Sequence, residues 1–225
     1  MATPFSGEGK VKVAVITGGH AYDVVGFNAL FRSMPDVDAY IQHMEDFCCD
    51  NSEARDRYRV VLFYNMHKEM PTGEEPWPMR ERKQAIEHLG EVEQGIFLLH
   101  HGILSHQEWP LFQEIVGIED RTITPHFGER IHVDVADPDH PITRGLEPWE
   151  QEDETYEMNS AEEAGGNHIL LTTDHPRSMR TLAWTRRHKK SRVFCLELGH
   201  DNEAYTNPNF RTVVHRGILW CAGEI

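Results

Sequence analysis

The 225-residue sequence predicts an α/β domain: a mainly parallel sheet covered by helices, with antiparallel strands added in its C-terminal half. Three observations support this. Short apolar runs alternate with amphipathic segments through the first half of the chain. Several of those runs end at glycine or histidine, as chains do where they leave a sheet in a tight turn. From residue 130 to 201, strand-like pieces follow one another with few helical patterns between them, which suits antiparallel neighbours.

The first run, residues 11–19, is rich in Val and Ile and closes on two glycines. Over residues 23–34, Val24, Phe27, Leu30 and Phe31 share one helical face. Strands are expected over 37–44 and 59–66, and 67–79 reads as a proline-rich loop. A helix over 79–90 follows from the spacing of Arg82, Ala85, Ile86 and Leu89. "GIFLLH", residues 95–100, is the fourth strand. Ser105 and Glu108 form a capping-box pair for the next helix, but that start would put Pro110 inside it; Trp109 as cap, with Pro110 in the first helical position, avoids the cost. Strand-like pieces then occur at 130–137, 154–158, 168–174, 180–188 and 191–200, with a hairpin tip in 185–193. Residues 145–163 are rich in Asp and Glu and read as a solvated loop. Asn207 and Pro208 open a C-terminal helix in which Phe210, Val213, Val214, Gly217, Ile218 and Cys221 keep helical spacing up to Gly223.

Residues 1–9 read as a disordered tail and 10–225 as one domain, since no linker divides them. The net charge of −15, with no basic patch, argues against nucleic acid and anionic membrane surfaces as partners. No apolar stretch approaches membrane-spanning length. The four cysteines lack the spacing of a zinc ribbon or redox motif, so free thiols and a cytoplasmic location are expected, with a homodimer as the default assembly.

Fifteen histidines are many for this length, and their positions matter more than their number. His20 follows the first strand, His43 nearly ends the second, and His67 lies just beyond the third. His100 and His101 close the fourth, and His200 closes the last. In an open α/β sheet the carboxyl ends of parallel strands share one edge, where ligands bind. His43 has a simpler reading as a half-exposed strand residue and His67 as a solvated residue opening a polar loop, and His88, His168, His175, His188 and His215 read as ordinary surface or loop positions. His126 and His132 are undecided. His20, His101 and His200 stand out because each ends a strand beside a glycine. Imidazoles can divide acid and base roles near neutral pH, and Asp201 is placed to orient His200. Three imidazoles, His20, His101 and His200, with a carboxylate would also suit zinc, although no compact motif such as H-E-x-x-H is present and no cofactor is firmly implied. No G-x-S-x-G occurs, Cys195 falls within a strand, and "VITGGH" lacks both a dinucleotide fingerprint and a Walker lysine.

"VITGGH", "LLHHGILSH", "HPITRGL", "DETYEM" and "LELGHDNEAYTNPNFRTVVHRGILWCAG" together resemble the ThuA-like (trehalose-utilisation) family, part of the class I glutamine amidotransferase-like superfamily. The resemblance runs from Val11 to Gly223 and is most specific in the C-terminal block. It implies a flavodoxin-like three-layer sandwich. In amidotransferases of that superfamily a cysteine occupies the turn after the strand matching "GIFLLH", and a histidine with a nearby acid follows a late strand. Here His100 and His101 stand at the first place and His200 with Asp201 at the second, so the thioester route to ammonia is absent. The resemblance further implies catabolism of trehalose or a related disaccharide or keto-sugar, alongside a sugar oxidoreductase. By it, His101 is the expected acid or base, with His200 and Asp201 as its partners. His20, His100 and His67 would bind the sugar, and Glu154 and Tyr156 would reach over the site. The expected reaction is a hydrolysis, elimination or isomerisation that begins with proton abstraction beside a carbonyl. Two other readings stand beside this one: a non-catalytic sugar-binding or scaffold module with a decayed site, and a metal-dependent hydrolase.

Overall fold

The structure, a computed structural model, describes residues 9–225; apart from Gly9, the expected tail lies outside the described residues. Among the described residues, nine strands form one sheet in the order β2-β1-β3-β4-β9-β8-β7-β5-β6. They are β1 (Val11–Thr17), β2 (Val37–His43), β3 (Val60–Phe63), β4 (Gly95–Leu99), β5 (Thr124–Val135), β6 (Trp149–Glu157), β7 (His168–Thr172), β8 (Thr181–His188) and β9 (Ser191–Leu196). The first five in that order are parallel and the rest antiparallel. The helices are α1 (Val24–Arg32), α2 (Met44–Cys49), α3 (Ser52–Arg55), α4 (Glu81–Glu87), α5 (Pro110–Val116), α6 (Asn202–Thr206) and α7 (Pro208–Ala222).

The three layers follow from the period of two along each strand. Val11, Val13 and Val15 of β1, with Phe97 and Leu99 of β4, join the core under α1 and α7. Ala14 and Ile16, with Ile96 and Leu98, join the core under α2, α4 and α5. Both faces are covered, so β3 and β4 are apolar at every position instead of alternating. The C-terminal helix forms as expected: the Asn207 side chain accepts from the backbone N–H groups of Asn209 and Phe210, and Gly223 ends the helix in the left-handed region. Trp109 and Pro110 open α5, also as expected.

Several boundaries differ from the sequence reading. Helices α2 and α3 went unseen because six and four residues carry too little periodicity to detect. Helix α4 is shorter than 79–90, and β5 begins at Thr124 rather than 130. Within the expected solvated loop lies β6, nine residues long, where Gln151, Asp153, Glu154 and Thr155 are buried. His188, expected at the surface, is buried, with Nδ1 3.0 Å from Glu114. Cys195 is a core thiol, as its strand position implied.

The β5–β6 ribbon positions the site. β5 joins the main sheet through Asp134 and Val135, which pair with β7, while residues 124–133 pair with β6. The ribbon therefore extends past the sheet, and β6 returns over the carboxyl ends of β4 and β9. Asp153 accepts from the backbone N–H groups of Gly199 (2.8 Å) and His200 (2.9 Å), and the Tyr156 N–H donates to Glu197 Oε1 at 3.0 Å. Asp153→Ala leaves those two buried donors unpaired. It is expected to lower unfolding stability by about 3 kcal/mol in urea titration and to speed hydrogen exchange in β6.

Candidate functional site

The site is built where β4 and β9 end. After Leu99 the chain enters a 3₁₀ turn, His100–Leu104. Gly102 is required there by close approach, since a Cβ on it would lie 2.1 Å from the Phe63 carbonyl oxygen of β3. His100 has φ 47°, a left-handed conformation that costs a non-glycine residue about 1–3 kcal/mol and persists where surroundings hold it. Its ring is held at both nitrogens: Nδ1 lies 2.5 Å from the Glu197 carbonyl oxygen and Nε2 lies 2.7 Å from the Tyr156 hydroxyl. After β9, Gly199 (φ 123°) makes the turn that presents His200.

Glu154, from β6, joins the two imidazoles. One of its oxygens, Oε2, is 2.9 Å from His100 Nε2 and 2.8 Å from His200 Nδ1. His101 lies beside them with 1 % of its surface exposed, and neither of its ring nitrogens has a partner. Its ring centroid is 4.4 Å from that of His100, 5.6 Å from His200 and 3.8 Å from His20. His20 arrives on the Gly18–Gly19 turn and points Nδ1 at the Ala21 carbonyl oxygen, 2.6 Å away. The Tyr64 ring forms a wall 5.0 Å from His101, fixed through its hydroxyl to Tyr205 and to the Gly199 and His200 carbonyls.

Hydrogen-bond roles fix the electrostatics. A carbonyl only accepts, so His100 carries hydrogen on Nδ1, and in a neutral ring its Nε2 lone pair would face the Glu154 carboxylate. Two acceptors at 2.9 Å require a positive charge between or beside them, either a proton or a metal ion. Burial opposes ionisation of Glu154, yet the hydrogen bonds from His100 and His200 outweigh it and hold its carboxyl down to about 2. The bond to Glu154 raises the pKa of His200. His101 is held far below the usual histidine range, first by burial and then by the neighbouring His100, His20 and His200, so it is neutral. Beneath them, burial raises the pKa values of Asp153 and Glu197.

The residues expected at the site mostly meet. His20, His100, His101, His200, Glu154 and Tyr156 are brought together, and both adjacent histidines reach the site. Asp201 does not orient His200. Its carboxylate caps α6, accepting from the Glu203 N–H at 2.9 Å, and Glu154 takes the expected role. His67 belongs to a neighbouring group with His43 and Glu45. The sequence reading missed Glu197 and Asp153, which look like ordinary alternating strand residues. It also missed His106, fully buried with Nε2 unpartnered.

Among the described residues, two groups have ligand atoms within 4.8 Å of one another: His100, His101, Glu154 and His200, and separately His43, Glu45 and His67. Only the first has the donor set of a cation site. There His101 offers an unpaired nitrogen, and His100, with its Nδ1–H held by a carbonyl as in metal-ligating histidines, directs Nε2 toward Glu154 Oε2 and the Tyr156 hydroxyl. In the second group, the Ser105 hydroxyl donates to the Asn65 carbonyl and accepts from Asn65 Nδ2, whose other hydrogen goes to His67 Nδ1. His67 therefore presents an N–H toward Glu45, which the Arg82 guanidinium already neutralises. His20, expected among the ligands, stands one ring further out, and His100 and Glu154 complete the first group.

The comparisons with known proteins agree with this architecture. The chain aligns with a ThuA-like protein from Parabacteroides merdae at 19% identity and a TM-score of 0.69, over 96% of this chain and 91% of that one. A Salmonella typhimurium protein described as cytoplasmic aligns at 12% identity and 0.61, over 93% and 98%. A glutamine amidotransferase from Thermotoga maritima aligns at 8% and 0.53, over 94% and 98%. At these identities the likeness is one of fold, the amidotransferase-like sandwich. The comparison with curated proteins gives no match. The family model for ThuA, described as trehalose utilisation, matches residues 18–221, and the chain belongs to the ThuA family.

Proposed function

We propose that this ThuA protein is an enzyme of carbohydrate catabolism whose reacting centre is a divalent transition metal held by His100, His101, Glu154 and His200. The observation that carries the reading is His101. Protons alone can reconcile His100 and His200 with Glu154, but they leave a buried imidazole with two unpaired nitrogens. An unsatisfied buried polar group costs about 1–3 kcal/mol, so a site without a ligand gains nothing from this arrangement. That cost also weighs against a decayed scaffold. Three imidazole nitrogens and one carboxylate oxygen suit zinc and its first-row neighbours.

A bound ion would supply Lewis acidity toward a sugar carbonyl or hydroxyl. The chain supplies the proton transfer. His20 donates Nδ1–H to the Ala21 carbonyl, which leaves Nε2 as its free nitrogen. Burial, above all, lowers its pKa, so His20 is a neutral base at pH 7. With its ring against His101, Nε2 is placed to take a proton from the carbon next to a carbonyl, the first step of an isomerisation or elimination of a keto-sugar. The family description, trehalose utilisation, supports a disaccharide or its oxidised form as substrate, with a sugar oxidoreductase supplying the ketone. The cytoplasmic Salmonella neighbour supports a cytoplasmic setting. Glutaminase chemistry has no nucleophile here: Cys195 is fully buried in the core, and burial pushes its thiol pKa well up. A metal-free reading is supported by the direct contacts of Glu154 Oε2 with His100 (2.9 Å) and His200 (2.8 Å), which protons alone can bridge.

Elemental analysis of protein purified without chelator is expected to give about one transition-metal ion per chain. His101→Ala and Glu154→Gln should weaken its affinity at least about tenfold. Against keto-disaccharides, chelation should abolish turnover and zinc, manganese or cobalt restore it. His20→Gln should keep the metal and lose about 10²-fold or more in kcat. Full turnover in chelator would overturn the metal reading in favour of histidine acid–base catalysis.

A further inference from the structure

Next to the histidine group stands an aromatic side chain that packs into neither core. Phe127 is 66% exposed, and its ring centroid lies 5.6 Å from that of His200, nearly edge-on at 69°. Its position comes from a defect in the β5–β6 ladder. His126 pairs with Thr155 and Glu129 pairs with Asp153, so Phe127 and Gly128 together face the single residue Glu154. This is a β-bulge, and Gly128 takes φ 65° within it. Bulges re-aim a side chain at the expense of ladder pairing, and they gather beside functional sites. Here the bulge lies opposite the carboxylate that joins His100 to His200.

The surroundings limit what Phe127 can receive. Glu129, next along the strand, is paired with Arg177 at 3.0 Å and His175 at 3.5 Å, so the charges beside the bulge are matched. The protein as a whole carries −15. A phosphorylated ligand is disfavoured by that field, whereas a neutral ligand with one apolar face is not. A pyranose ring has such a face, formed by its axial C–H bonds, and aromatic rings offer a large, rigid surface to it at little entropic cost.

We propose that Phe127 is a substrate platform: one pyranose ring packs on its exposed face, which places the adjoining reacting carbon over His101 and His20. The proposal rests on the carbohydrate reading above and narrows it to cyclic, uncharged sugars. Phe127 touches the substrate's non-reacting surface, so its loss affects binding and leaves the metal centre intact.

The test is calorimetric titration of the metal-loaded protein with trehalose and, in parallel, with the acyclic polyol sorbitol. Phe127→Ala is expected to weaken trehalose binding about tenfold, with Phe127→Tyr restoring most of it, at unchanged metal content and thermal stability. Sorbitol binding should not respond to either substitution. Equal trehalose affinity in wild type and Phe127→Ala would overturn the platform while leaving the carbohydrate reading standing. A wild type that holds metal but binds neither trehalose nor a keto-disaccharide would overturn both. A wild-type dimer that Phe127→Ala dissociates, with trehalose affinity unchanged, would assign the ring to self-association instead.

Discussion

One carboxylate oxygen organises the carboxyl edge of this sheet. Oε2 of Glu154 meets imidazole nitrogens from the ends of two neighbouring strands, β4 and β9. A buried carboxylate is costly unless cations or strong donors surround it, and here His100 is fully buried and His200 half-buried. The rest of the region serves to hold them. Asp153 anchors β6 to the backbone at Gly199 and His200, and the Glu197 backbone carbonyl fixes the His100 ring. The Glu197 side chain receives the Tyr156 N–H, and the Tyr156 hydroxyl returns to His100. Each of these contacts spans elements far apart in the chain, so the site and the β5–β6 ribbon stand or fall together.

The same fold supports different chemistry in other proteins, and here the change lies in the turn after β4. By the family resemblance, the matching turn of an amidotransferase would carry a thiol. Here it carries His100 in a left-handed conformation and His101 directly after it, with Gly102 pressed against β3. A nucleophile needs access to its substrate, whereas His101 is almost fully enclosed. An enclosed neutral imidazole is better suited to a ligand's role than to attack, and in the proposed function the more open His20 moves the proton.

Much of this was legible in the sequence because it depends on local patterns. The parallel strands show as unbroken apolar runs, and the histidines at their ends show as residues beside turn glycines, so His20, His101 and His200 could be grouped without coordinates. The acid partner does not show in the local pattern: only the family resemblance puts Glu154 over the site, and not as the partner of His200. Asp201 follows His200 in sequence, but an aspartate just ahead of a short helix is more useful as its cap, and the true partner comes from a returning hairpin. The acidic content of residues 145–163 suggested a solvated loop, because charge counting does not distinguish an exposed carboxylate from Asp153 or Glu154 facing inward. His67 shares the strand-end pattern of the others. Its separate role depends on the tautomer imposed by Asn65 and Ser105, and Phe127 depends on a bulge; neither leaves a mark on residue order.

In the proposed function a metal ion, and not a shared proton, provides the positive charge between Glu154 and its imidazoles. Anomalous X-ray diffraction from crystals of the protein grown with zinc tests it most directly. A single strong peak is expected about 2.0–2.2 Å from nitrogens of His100, His101 and His200 and from Glu154 Oε2. Crystals with no peak at that point, and with Glu154 bonded directly to both imidazoles, would contradict it.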